Sequence, residues 1–289
     1  MRTTSEAPIA EPQSVNRSAG AEQRGARSNP RSGDATTPVA GVEVDGLGHS
    51  FGELEVIERV DLRVQPGEVL GVVGPSGCGK STLLELISGL REPTAGEISV
   101  HGEVDSAARL QSCAYMPQRD LLLPWLSALD NAALALRIAG LTRQEGRARA
   151  GAHFERLGLA GFEAARPEEL SGGMRQRVAF LRTLMAGRPV LLLDEPFASL
   201  DAITRAEMQS WLAGVLGPDR HTVLLVTHDV EEALYLSDRV LVLSSRPATV
   251  SDRIEIPGPR AADRAAAVTS ADFTALRERA LRSLSEAAG

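Results

Sequence analysis

A chain of 289 residues, 43% hydrophobic and 24% charged, has the ordinary composition of a soluble globular protein and length for one large domain or two small ones. A formal net charge of −7 argues against a general nucleic-acid binder, which neutralises phosphates with clustered Lys and Arg. Two cysteines, Cys78 and Cys113, form no disulfide framework or metal-ligand spacing, and no apolar run approaches the length of a bilayer span.

The opening “MRTTSEAPIAEP” lacks the apolar stretch of a secretion signal, so the chain is expected to stay in a reducing cytosol. Residues 1–38 are rich in Ser, Ala, Pro, Gly and Arg and nearly free of large apolar side chains. They are expected to form a disordered tail, with a docking arm as the alternative. From Val39 the pattern changes. “VAGVEVDGL” and “LRVQPGEVLGVVG” read as strands punctuated by Gly and Pro, and “STLLELISGL” follows with helical spacing. “GEISVHGE” and “SCAYM” are further strands. A mostly helical insert of roughly seventy residues comes next. Then helix “MRQRVAFLRTLMAG”, strand “PVLLLDE”, helix “ITRAEMQSWLAGVL”, strand “HTVLLVTH”, helix “VEEALYLS” and strand “RVLVLS” alternate, and an amphipathic helix “DFTALRERALRSLSEAA” closes the chain. Short apolar strands alternating with helices predict an α/β fold with a parallel sheet covered on both faces.

“GPSGCGKS” fits G-x-x-x-x-G-K-[S/T] between the strand “EVLGVV” and a helix. Gly74, Gly77 and Gly79 let the backbone curl so that its N–H groups face phosphates; Lys80 adds a point charge, the Ser81 hydroxyl suits Mg²⁺, and Thr82 stands near the α-phosphate. Pro75, Ser76 and Cys78 complete the loop. A ligand-free turn is the plain alternative. Cys78 reads as a small filler, or as a thiolate favoured by the helix N-terminus.

“RPVLLLDEP” brings two acids to the C-terminal edge of a buried strand, where open α/β sheets bind ligands. Asp194 suits Mg²⁺ through water; Glu195, next along and facing the other way, suits the base that deprotonates a water. “VLLVTHD” ends in Thr227 and His228, and beside the cradle His228 reads as a γ-phosphate contact. Gln118 can offer its amide oxygen to the metal and its NH₂ to the water. Phe51 reads as core, with stacking on adenine as the lesser alternative. “LSGGMRQR” aims a second set of bare helix N–H groups at an anion.

Taken together, Gly74–Thr82, Gln118, “LSGGM”, “LLLDEP”, “ASLD” and “TH” resemble, in order and spacing, the ATP-binding subunits of ABC transporters, over about Val42 to Val250. The resemblance implies a P-loop NTPase fold (ABC ATPase) with a mixed core sheet, an antiparallel β subdomain and a helical signature subdomain. The ATPase domain would span 39–260, its helical part about 119–187, with a helical extension at 261–289. It also implies ATP and Mg²⁺ as cofactors and a homodimer closed on two nucleotides. Ser171, Gly172, Gly173 and Asp201 would then serve the partner's ATP. Integral-membrane permease subunits and, indirectly, an extracytoplasmic solute-binding protein are the implied partners, with no nucleic acid, at the cytoplasmic face of the membrane. “LLLPW”, “LDEPFASLDAITR” and “VTHDVEEALYLSDRVLVLSSRP” are similar to importer ATPases for nitrate, aliphatic sulfonates, taurine and related anions or pyrimidine precursors. “LLLPW” reads equally as packing within its own subdomain or as contact with a membrane subunit. Departures are the long tail, Pro117 before Gln118, and “VAFLRTLMAGRP” after the signature. A soluble ABC-type ATPase and a small-molecule kinase are the rival classes. The first normally carries a coiled coil or second cassette; the second gives “LSGGM” and “SLD” no role.

Overall fold

Five-residue apolar runs decide the centre of the molecule. β3 (Val69–Val73), β6 (Val190–Asp194) and β7 (Thr222–Val226) are buried at every position, as strands covered on both faces must be. The computed structural model describes residues 40–215, 221–258 and 264–288. The chain divides into Met1–Thr37 and Pro38–Gly289, and the segment read as a disordered tail lies outside the described residues.

In chain order the second unit runs β1 (Val42–Phe51), β2 (Leu54–Val64), β3, α1 (Lys80–Ser88), β4 (Ala95–Val100), α2 (Ser106–Ser112) and β5 (Cys113–Met116). The insert follows as α3 (Ala128–Ala132), α4 (Leu134–Ile138), α5 (Arg143–Gly151), a 3₁₀ turn at Pro167–Glu169 and α6 (Gly172–Leu184). The chain returns through β6, α7 (Ala202–Val215), β7, α8 (Val230–Leu236), β8 (Arg239–Leu243), β9 (Ala248–Glu255), α9 (Arg264–Val268) and α10 (Ala271–Ala288).

Nine strands form one sheet in the order β4-β1-β2-β9-β8-β3-β7-β6-β5. The run β8-β3-β7-β6-β5 is parallel, whereas β4-β1-β2 and β8-β9 pair antiparallel. The sheet is therefore mixed, as the resemblance implies, and not parallel throughout as the strand–helix alternation alone suggests. Strands β8 and β9 are joined by a four-residue turn, Ser244–Pro247, too short for the crossover a parallel pair requires.

Alternation along the strands builds two cores. Val69, Val73, Leu191, Leu193, Val223 and Leu225 face the insert, α7, α8 and α10; Leu70, Val72, Val190, Leu192, Leu224 and Val226 face α1 and the antiparallel strands. α10 contributes Phe273 and Ala280 to the first core, and its Arg279 grips Asp252 of β9 at 2.7 and 3.0 Å. The C-terminal helix is thus part of the same packed body. α2 escaped sequence reading because it is short, although Asp105 caps it by accepting from the Ala108 N–H at 3.0 Å.

Caps also fix the insert. Ser127 accepts from the Asp130 N–H, and Thr142 with Glu145 closes a capping box on α5. Asn131, fully buried, donates to the Leu123, Leu126 and Ser127 carbonyls and accepts from the Leu123 N–H. That anchor buries Leu122 and leaves Leu121 and Trp125 56% and 69% exposed, so the Trp125 ring does not pack inside its own subdomain.

Candidate functional site

The strand-to-helix turn after β3 builds the cradle. Gly79 caps α1 at φ +112° without any side-chain cap, and a Cβ there would stand 2.9 Å from Val56 Cγ1, so both backbone and space require glycine. The first N–H groups of α1 consequently point into the loop with no intrahelical acceptor. Lys80, almost wholly buried, donates to the Gly74 and Pro75 carbonyls at 2.8 and 2.9 Å. Its ammonium therefore sits inside the curl of the loop.

A cavity of about 470 Å³ opens over this turn. Phe51, Leu54 and Val56 line one side, Ser76, Gly77, Gly79, Lys80, Ser81 and Thr82 its floor, and Gln118, Glu195 and Arg246 the remainder. Phe51 corrects the core reading: it is 41% exposed into this cavity, edge-on to His49 at 4.8 Å, with the Arg91 guanidinium 5.0 Å from its ring centre. Arg246, on the β8–β9 turn, was assigned nothing by sequence, because nothing in a linear reading brings that turn to the cradle.

Asp194 ends β6 almost wholly buried, and its carboxyl is raised above the usual range chiefly by that burial, while a hydrogen bond from Ser81 opposes the rise. Tyr115 of β5 also hydrogen-bonds Asp194, and burial pushes its phenol well up. A buried carboxylate beside a hydroxyl favours a cation, so Ser81 and Asp194 fit Mg²⁺. No cluster of three His, Cys, Asp or Glu side chains among the described residues could hold a metal. An ion held there would complete its shell with water or phosphate oxygens.

Glu195 is not the next strand residue. β6 stops at Asp194 and Glu195 turns into the left-handed region at φ +49°, with its N–H bonded to the Val226 carbonyl at 2.8 Å. Its direction therefore comes from that turn and not from strand alternation. The turn aims its Oε2 where Gln118 Nε2 donates at 3.0 Å and His228 Nδ1 lies at 3.4 Å. Three side chains that arrive from the ends of β5, β6 and β7 meet at one oxygen.

The Ser171–Gly173 loop borders a neighbouring cavity that shares Gln118 with the first. Ser171 caps α6 by accepting from the Met174 N–H at 3.2 Å, leaving Gly172 and Gly173 at the bare first turn. Gly172 lines a different cavity with Gln118, Asp120, Arg175, Gln176 and Ser199, and none of Ser171, Gly172, Gly173 or Asp201 lines the cradle cavity. Asp201 instead caps α7, accepting from the Thr204 hydroxyl at 2.7 Å and from the Ile203 and Thr204 N–H groups at 3.1 Å each, and these bonds, the hydroxyl's above all, hold its carboxyl below the usual range. The α6 arginines tie the helix to the Gln118 segment: Arg175 reaches Asp120 at 3.0 Å and Arg182 the Asp120 and Leu121 carbonyls at 2.8 and 2.9 Å. At Cys78 the small-filler reading holds and the thiolate alternative is corrected. The residue is 1% exposed, and burial pushes its thiol up, so the helix N-terminus does not make it a thiolate.

Known proteins resemble this chain in sequence and fold. Residues 57–198 match the family model described as ABC transporter. The chain is 45% identical over 202 residues to the formylaminopyrimidine import ATP-binding protein ThiZ of Halalkalibacterium halodurans, covering 70% of this chain and 78% of that protein. It is 48% identical over 224 residues to the aliphatic sulfonates import ATP-binding protein SsuB 1 of Rhodococcus jostii (78% and 87% covered). To the nitrate import ATP-binding protein NrtD of Synechococcus elongatus it is 42% identical over 254 residues (86% and 92% covered). Among solved structures, a dimeric post-hydrolysis state of the ATP-binding cassette MJ0796 bound to ADP and Pi superposes with a TM-score of 0.68 at 29% identity, covering 75% of this chain and 99% of that one.

Proposed function

The chain belongs to the ATP-binding proteins of ABC transporters, and on that premise we propose that it is the ATP-hydrolysing subunit of an importer for a small anion or pyrimidine precursor. The observation that carries the mechanism is the meeting of Gln118 and His228 on the Glu195 carboxylate beside the cradle. A carboxylate that accepts a hydrogen bond and faces a phosphate-binding loop is placed to take a proton from water.

In this reading the backbone of Gly74–Thr82 cradles the phosphates, Lys80 turns from its loop carbonyls to the phosphate oxygens, and Phe51 offers its exposed ring face to adenine. Ser81 and Asp194, with Gln118, would hold Mg²⁺, which when bound supplies charge neutralisation at the phosphates. Glu195 takes the water's proton and His228 steadies the γ-phosphate. Ser171, Gly172 and Gly173, which do not line their own chain's cradle cavity, would face the nucleotide held by a second copy, with Asp201 at that interface. Separation of the two grips within one chain supports this head-to-tail homodimer. No helix among the described residues is long and apolar enough to cross a membrane, so the subunit would act peripherally at the cytoplasmic face on permease subunits supplied by solute-binding protein. The exposed Leu121 and Trp125 would form part of the permease contact.

Glu195→Gln tests the chemistry. ATP binding is expected to persist while turnover falls about a hundredfold or more, measured as phosphate release; wild-type turnover would remove Glu195 from the role of base. Co-purification of a multi-span permease with the tagged chain tests the importer reading, and its absence from membranes of the native host would favour the soluble ATPase.

A further inference from the structure

We propose that Gln176 is a positioning residue that ties the Ser171–Gly173 loop to Glu195 of the same chain, so that occupancy of one nucleotide site alters hydrolysis at the other. The proposal rests on the reading of Glu195 as the base and of the loop as serving the partner's nucleotide.

Gln176 lies in the second turn of α6, one helical turn below the loop glycines, and is 3% exposed. Both ends of its amide are spent on the segment between β6 and α7. Its Nε2 donates to the Glu195 carbonyl at 2.8 Å and its Oε1 accepts from the Ser199 N–H at 2.9 Å. Neither partner lies in a helix or strand, and these bonds add to the segment's own turn bonds, from the Ala198 N–H to the Glu195 carbonyl at 3.2 Å and from the Leu200 N–H to the Phe197 carbonyl at 3.1 Å. The Glu195 backbone is in the left-handed region, a conformation that persists for a non-glycine residue only where surrounding contacts determine it. Gln176 holds the Glu195 carbonyl on one side of its Cα while the Val226 carbonyl holds the Glu195 N–H on the other.

A second contact joins the same two pieces. A Cβ on Gly173 would stand 3.0 Å from Leu200 Cδ2 and 3.5 Å from the Ser199 carbonyl oxygen, so the loop packs directly on the segment. The first two turns of α6 and residues 195–200 therefore share close packing and two hydrogen bonds, and a displacement of one cannot leave the other in place. An anion that pulls the loop N–H groups toward a partner would shift the Glu195 carbonyl and with it the carboxylate aimed between Gln118 and His228. An amide that served only to fill the core would have no such consequence.

Gln176→Leu, close in volume and without polar atoms, tests this in the full chain with Mg-ATP. The readouts are phosphate release against ATP concentration, affinity for a fluorescent ATP analogue, and thermal melting. Affinity is expected within about twofold of wild type while kcat falls about tenfold and the Hill coefficient drops toward about 1. A merely structural role would lower melting temperature and leave cooperativity intact. A folded Gln176→Leu chain with wild-type kcat and cooperativity overturns the proposal. Running Glu195→Gln in parallel separates the two readings: if it turns over normally the base assignment fails, whereas if it alone is impaired the coupling fails. Should Gln176→Leu not fold, amide exchange in the unsubstituted chain decides. On adding a non-hydrolysable ATP analogue, the Ser199 amide and those of Gly172 and Gly173 are expected to gain protection together, and independent changes refute the link.

Discussion

Glu232 should make the protein less stable as the solution becomes more alkaline. It sits in the first turn of α8, 3% exposed, just after the strand that carries His228. Its Oε2 accepts from Gln209 Nε2 at 2.9 Å and Thr227 donates to the carboxyl as well, while Oε1 makes no hydrogen bond among the described residues. Arg264 Nε donates to Gln209 Oε1 at 2.7 Å and so turns the amide's donor end toward Glu232. Burial, more than any other cause, lifts the carboxyl from 4.5 to about 7; Asp229 adds to the rise and Arg205 opposes it. Because the folded value is the higher, the folded state binds more protons between the two values. The group's contribution to stability is therefore fully present below 4.5 and is lost as the pH climbs through about 7. With those values the charged form costs about 3 kcal/mol at pH ~8 and about 1 kcal/mol at pH ~5.5, a difference of about 2 kcal/mol. Glu232→Gln removes the charge and keeps the acceptor for Gln209. Urea denaturation of both proteins at the two pH values should show the variant gaining about 0.7 M in relative midpoint on going to the higher pH, for a slope near 3 kcal/mol per molar. Parallel pH dependence in the two proteins would refute the reasoning.

Gly79→Ala should weaken ATP binding at least about tenfold, since an L side chain at φ +112° costs of order 1–2 kcal/mol before its Cβ meets Val56; equilibrium binding of a fluorescent ATP analogue reads it, and unchanged affinity would mean the loop tolerates another backbone path. Cys78 should resist iodoacetamide in the native protein at pH ~8 and react only after unfolding, because its sulfur is buried and its thiol raised. Mass spectrometry of native and denatured samples checks this, and rapid native labelling at Cys78 would contradict the buried placement.

The local geometry of the candidate site was legible in the chain because each part is local. A strand, a glycine turn and a lysine at the head of a helix declare a phosphate cradle through spacing alone, and the run of apolar residues before Asp194 declares a buried strand ending in acids. Ser171 as a helix cap was equally local. Long-range geometry was not. Gln118, Glu195 and His228 lie on three separate strand ends, and their meeting depends on the order β7-β6-β5, which no spacing encodes. Arg246 and Phe51 reach the cradle only because β9 runs between β8 and β2, and Gln176 shows its role only when α6 packs under the turn after β6.

Sequence by itself determined which backbone conformations were available and which side chains had to leave water, since glycine freedom, helix caps and apolar periodicity act over a few residues. Tertiary structure alone decided that Glu195 leaves the strand through a left-handed turn, that Arg246 comes to the cradle, and that the filler rather than the thiolate describes Cys78. Those outcomes follow from packing between segments far apart in the chain, and burial, hydrogen-bond partners and shifted acidity exist only once that packing has formed.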